Sequence, residues 1–136
     1  MAVILQPCGN KDARAHYNDT VLFPVPHHTV SNLLNETDND TLKNIYPDGM
    51  LKIWGVTPIN QRKWEKVEAG DITLFSKSKA IFASAVATHK IHNKSLAEKL
   101  WGLDAKGNAW EYIYFIAEIQ AQNIPYIELN RVIPYK

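Results

Sequence analysis

Residues 80–91 constrain the fold of this chain more than any other stretch. Ile81, Ala83, Ala85 and Ala87 alternate there with Phe82, Ser84, Val86 and Thr88, the period of two that belongs to a strand with two distinct faces. One face carries mostly small side chains, so another element can lie very close to it. Residues 109–119 (AWEYIYFIAEI) are the strongest β-forming run in the chain, and residues 50–56 (MLKIWGV) and 72–75 (ITLF) add two more strands. Residues 126–129 and 131–133 complete the set. Five or six short strands with few, short helices predict an α+β fold built on a small, curved, mostly antiparallel sheet or barrel.

The remainder is punctuated by helix and turn signals. Residues 1–49 are polar and irregular, interrupted by Pro7, Pro24, Pro26 and Pro47. A strand is expected over 2–5, and a helix over 12–21 with Asn10 as its cap, because an Asn side chain accepts from the first free backbone donors. A short helix carrying Val30, Leu33 and Leu34 would be capped by Thr29 or Ser31. Another over 37–46 would place Leu42 and Ile45 on one face. Pro47-Asp48-Gly49 is a turn, helices are expected at 60–68 and 94–100, and polar turns or loops at 76–79 and 101–108. With 136 residues and no repeat or linker, the chain reads as a single domain, 1–136, in which 1–49 is an extension packed on the core 50–133.

Composition removes several function classes. Four Trp, six Tyr and four Phe supply too much apolar surface for a disordered chain. No apolar run approaches a membrane span and no leader pattern opens the sequence. One cysteine, Cys8, makes no internal disulfide, so a reducing cytoplasm is the expected location. A net charge of +1 argues against a grip on a long duplex. It leaves room for a short nucleic-acid segment, or one extruded base, held by a local cluster of cations.

Enzyme constellations are weak. The sequence has no phosphate loop and no G-x-S-x-G elbow, and Cys8 sits in a Pro-Cys-Gly turn without a base nearby. His89 and His92 form an H-x-x-H pair and His27-His28 are adjacent, but neither pair has the further ligands that zinc requires. No metal or cofactor is expected. Glu65, Glu68, Asp71, Glu111 and Glu118 read as solvated carboxylates. The tryptophans carry more: Trp54, Trp64, Trp101 and Trp110 provide flat faces on which a base could stack, at roughly 1–3 kcal/mol per contact. The competing reading makes them core residues. Cations cluster at Lys77 and Lys79, at Arg62, Lys63 and Lys66, and at Lys90 and Lys94, each group suited to a phosphate backbone.

Three features stand in a familiar order: Lys52-Ile53-Trp54-Gly55-Val56, then WEKVEAGDITLFS at 64–76, then the small-residue strand. A Trp101-Gly102 loop and a strand opened by Trp110 follow. Over residues 50–133 this order resembles the PUA-like superfamily, in particular its EVE and YTH branches. Domains of this type bind modified bases in DNA or RNA, and they occur at the N-terminus of modification-dependent restriction proteins of the McrB kind. The resemblance implies a module that flips a methylated base out of DNA into an aromatic pocket. Trp54 and Trp101 would form its walls, Phe75 and Ser76 its floor, and Trp110 a further pocket residue. Lys77, Lys79, Arg62, Lys63 and Lys90 would hold phosphates. DNA carrying a modified base is then the expected partner, RNA the alternative, and NTPase and nuclease modules would be fused or associated. The related ASCH branch supplies a second expectation, a small amidohydrolase acting on modified nucleosides, with Lys52, Thr57 and Glu111 as its conceivable residues.

Overall fold

The computed structural model describes residues 2–128. Strand β1 (Val3–Pro7) leads to helix α1 (Lys11–Tyr17), whose N-terminus is capped by Asn10: its side chain accepts from the Ala13 N–H at 2.7 Å. The helix does not run on to residue 21 in α form. It widens into a π-helical turn, Asn18–Leu22, that ends at the extended Phe23. Strand β2 (Val25–Pro26) and two 3-10 turns follow, His27–Thr29 and Ser31–Leu33, where a single short helix was expected. Helix α2 (Glu36–Ile45) is capped by Asn35. The expected strand over 50–56 divides at Lys52 into β3 (Met50–Leu51) and β4 (Ile53–Val56), which belong to different sheets. After a 3-10 turn, Pro58–Asn60, come α3 (Gln61–Glu65), β5 (Ile72–Lys77), β6 (Ala80–His92), α4 (Lys94–Trp101) and β7 (Tyr112–Pro125). Residues 126–128 are helical rather than extended, and Tyr126 anchors their start to the hairpin turn. Its N–H donates to the Lys79 carbonyl at 3.0 Å and its hydroxyl to Ser76 Oγ. The strand expected over 131–133 lies outside the described residues.

Five strands form one curled sheet in the order β1-β5-β6-β7-β4. All pairings are antiparallel except β1 with β5, which run parallel. Residues 1–49 therefore contribute an edge strand to the main sheet as well as the helix that lies on it, a tighter integration than an extension laid over a finished core. Ser78 and Lys79, with φ of 52° and 62°, form the two-residue turn between β5 and β6, the primed geometry that matches strand twist.

One side of the sheet, facing α1, buries Ile4, Trp54, Phe75, Ala83, Ala85, Ala87, Tyr114 and Ile116 beneath Ala13, Tyr17 and Val21. The alanine stripe is what lets the helix and its aromatic residues approach so closely. The other side packs Ile53, Ile113 and Phe115 against Leu42, Tyr46, Leu51 and Leu96. The alternation along β6 is not continuous. Ile81 pairs with Ser76 and Ala83 with Phe75, leaving Phe82 as an extra residue, so Ile81 is buried in a separate cluster with Leu74 while Phe82 and Ala83 both pack on the α1 side. Further register shifts between β6 and β7 bracket Glu118, whose φ of 53° marks a bulge. A bulge moves side chains out of strict alternation and bends its strand, and here Phe82 and Ile119 join the same cluster.

Candidate functional site

The bulges, the π-helical turn and the end of β1 meet at one cleft of about 400 Å³. Tyr17, Leu22, Phe82 and Ile119 make its apolar walls; Ala83, Ala121 and Cys8 are its small side chains; Asn18, Arg14 and Lys77 are its polar groups. Tyr17 and Phe82 meet edge to face, with centroids 5.2 Å apart, and Phe75 stands behind both at 5.0 and 6.4 Å. The Lys77 ammonium lies 5.0 Å from the centre of the Phe82 ring. Burial pushes the Cys8 thiol up to about 11, with the charges of Lys77 and Arg14 opposing the shift. Cys8 is therefore a neutral, packed thiol at physiological pH, not a nucleophile. Burial likewise raises Tyr17.

Two larger depressions have the wrong charge for a polyanion. One of about 1040 Å³ carries Glu36, Asp40 and Asp48 against Lys43. Another of about 620 Å³ carries Asp12 and Asp104 against Lys106. In the latter, desolvation raises Asp104, but hydrogen bonds from the Asn108 N–H, Trp110 Nε1 and the Lys106 N–H outweigh it and hold the carboxyl below its ordinary range. Among the described residues that line these three depressions, the cleft beside Phe82 has cations and no carboxylate.

The tryptophans occupy other positions. Trp54 is 1% exposed and lies edge-on to Phe75 and Trp110 at 5.1 and 5.7 Å. Its Nε1 has no hydrogen-bond partner among the described residues. Trp110 is buried, bonded to Asp104, and packed edge-on to His16 at 4.2 Å. Trp101 is half-buried, stacked on His16 at 5.1 Å, with its ring over Gly55 and its Nε1 donating to Thr20 Oγ1. None of the three lines the Phe82 cleft, and Trp54 offers a ligand no open face in this structure. Phe75 and Ser76 are also buried. They lie directly behind the cleft: the Ser76 carbonyl accepts from the Cys8 N–H at 2.7 Å.

Of the expected phosphate ligands, Lys77 is in the cleft and Lys79 in the adjoining turn. Lys90 is elsewhere: it sits thirteen residues beyond Lys77, near the far end of β6, on the order of 30 Å of extended chain from the Ala80 end. Its ammonium donates to the carbonyls of Trp64 and Glu65 and rests 4.7 Å from the Trp64 ring centre, so it caps the end of α3. Arg62 and Lys63 are exposed on that same helix. Lys52, Thr57 and Glu111 do not assemble. Thr57 lines the acidic depression, Lys52 lies five residues away at the break between β3 and β4, and Glu111 is paired with His92 at 2.8 Å. His89 is paired with Asp38 at 2.9 Å, and no group of three or more metal-ligating side chains occurs among the described residues.

Tyr17, Leu22, Phe82 and Arg14 were not singled out from the sequence. The signal that could have found Phe82 was its place as the one large aromatic among alanines, but only the bulge turns it towards the helix.

No helix among the described residues is long and apolar enough to cross a membrane. No protein-family model matches the sequence, and no curated protein matches it either. Among solved structures, the chain is similar to the N-terminal domain of McrB from Thermococcus gammatolerans, solved bound to m5C DNA. The TM-score is 0.70 at 14% identity, over 100% of this chain and 84% of that one. A curled five-stranded sheet with short helices, aligned over the whole chain with that domain, gives this chain a small α+β, PUA-like fold that the two share.

Proposed function

We propose that this chain is a non-enzymatic reader of modified DNA that takes one extruded base into the cleft between α1 and the bulged hairpin. The observation that carries the reading is the cleft itself: aromatic and aliphatic walls, a small-residue interior, and Arg14 and Lys77 as its charged groups among the described residues. A flipped base needs flat apolar walls and an edge to be read, and its flanking phosphates need cations. The similar McrB domain, solved with m5C DNA, supports DNA as the polymer. In this reading the half-buried Phe82 flanks the base with the buried Tyr17 backing it, Asn18 addresses its edge, and Arg14, Lys77 and Lys79 hold the backbone. Trp54, Phe75, Ser76, Trp101 and Trp110 act from behind, fixing Tyr17 and α1 in place. Shape discriminates a single methyl group by only about 1–3 kcal/mol. A restriction system built on this reader therefore needs a second checkpoint, in NTPase or nuclease modules fused to it or associated with it in the cytoplasm.

Fluorescence anisotropy at fixed salt tests the reading, with short duplexes carrying 5-methylcytosine, 5-hydroxymethylcytosine, 4-methylcytosine or 6-methyladenine beside an unmodified control. A preference of about tenfold or more for one modified duplex, some 1.4 kcal/mol, is the expected result. Equal binding to all five overturns it, and a preference for single-stranded RNA would move the partner from DNA to RNA.

A further inference from the structure

Taking a base out of a duplex leaves a gap in the stack, and the cost of unstacking falls when an apolar side chain enters it. Such a side chain must be exposed in the free protein, rigidly mounted and next to the base pocket. From this, and resting on the reading of the cleft as a base pocket, we infer that Phe23 is the wedge that fills the gap left by the extruded base.

Phe23 is 66% exposed and Leu22, its neighbour in the chain, 59%. Leu22 lines the cleft, and Phe23 follows it directly in the chain. The Phe23 N–H donates at 3.2 Å to the carbonyl of Asn18, another residue of the cleft, which ties the base site and the wedge to one π-helical turn. Single turns of this kind recur at functional sites. The mount is stiff on both sides. Before it, Val21 is buried and the Thr20 hydroxyl is engaged with the carbonyls of His16 and Ile53. After it, Pro24 confines Phe23 to extended backbone, observed at φ −111° and ψ 94°, and Val25–Pro26 pairs with Met50–Leu51. An exposed phenyl ring held this firmly gains little by collapsing onto its own surface. Arg14 and Lys77, in the cleft that Leu22 borders, supply the charge that draws a phosphate backbone to this edge.

The test compares the wild type with Phe23→Ala and Phe23→Trp on three DNAs: a duplex with the preferred modified base, the same base opposite an abasic site, and the same base in a single strand. Because Phe23 is exposed, Phe23→Ala should retain the wild-type melting temperature. It should lose about tenfold or more in affinity for the paired duplex and for the duplex with the abasic site, in both of which extrusion opens a gap between neighbouring bases, while matching the wild type on the single strand, where no duplex stack has to be refilled; Phe23→Trp should retain duplex binding. With 2-aminopurine next to the modified base, the wild type should change the probe's fluorescence and Phe23→Ala should change it less. Equal loss on all three DNAs overturns the wedge, since Phe23 would then be part of the pocket wall, and so does no loss on any. A wild type with no preference for any modified duplex removes the base reader and the wedge together.

Discussion

Phe82 is the residue on which the cleft depends most, because it meets Tyr17 on one side and Lys77 on the other. Truncating it removes one aromatic wall and the surface against which the Lys77 ammonium rests. Phe82→Ala is expected to weaken binding to the preferred modified duplex by about 1–3 kcal/mol, and by much less on unmodified DNA, which anisotropy with both duplexes measures. His16 matters in a different way. It is 5% exposed between Trp101 and Trp110, and burial lowers its pKa, with Asp12, Asp19 and Asp104 offsetting part of the shift. A histidine whose folded pKa is depressed takes up its proton more readily in the unfolded chain. Its contribution is therefore whole above the unfolded pKa of about 6.5 and is lost as the pH falls towards the folded value. The melting temperature should drop between pH 7.5 and 5.5, and His16→Gln should flatten that part of the profile. An unchanged slope in the variant would assign the acid sensitivity to other groups.

At the scale of elements, the aromatic layer depends on a glycine in β4. A Cβ on Gly55 would stand 2.5 Å from the Trp110 carbonyl oxygen and 2.7 Å from the Trp101 ring, contacts that force backbone or ring to move. Gly55→Ala should destabilise the protein by about 1–3 kcal/mol, the usual range for overpacking, and a denaturant midpoint would register it. This approach was half legible in the sequence. Trp54-Gly55 and Trp101-Gly102 could be read as strand and loop features, but a tryptophan buried against a glycine and one facing a ligand have the same local pattern. The strands, the Asn10 cap and the hairpin turn were readable because period-two alternation and capping chemistry are local. The cleft was not, for three physical reasons. A π-helical turn ends α1 where simple periodicity continues it to residue 21. Bulges at Phe82 and near Glu118 break the alternation that assigns faces. The parallel pairing of β1 with β5 brings Cys8, Arg14 and Tyr17 to the hairpin from about sixty residues away in sequence, a contact that no local pattern reports.

For the whole molecule, the constraint is a net charge of +1 on a protein proposed to bind a polyanion. Non-specific attraction to DNA scales with the phosphates neutralised, and the two larger depressions carry more carboxylates than cations. A reader with this balance must draw its affinity from stacking and base-edge contacts, with only a few phosphates engaged. If Arg14, Lys77 and Lys79 are the principal contacts, the logarithm of the binding constant should fall with the logarithm of salt at a slope of about −2.7, since each neutralised phosphate contributes about −0.9. Lys77→Gln and Arg14→Gln should each reduce the slope by about 0.9, and the loss should be similar on modified and unmodified duplexes, because phosphates carry no base identity. A slope several-fold steeper in the wild type would mean that the track of cations extends well beyond this cleft, towards the α3 cluster. A slope unaffected by either substitution would place the backbone on another face. Low salt sensitivity also suits the proposed biology: unmodified DNA is abundant, and weak electrostatic retention leaves the reader free to dissociate wherever no base enters its cleft.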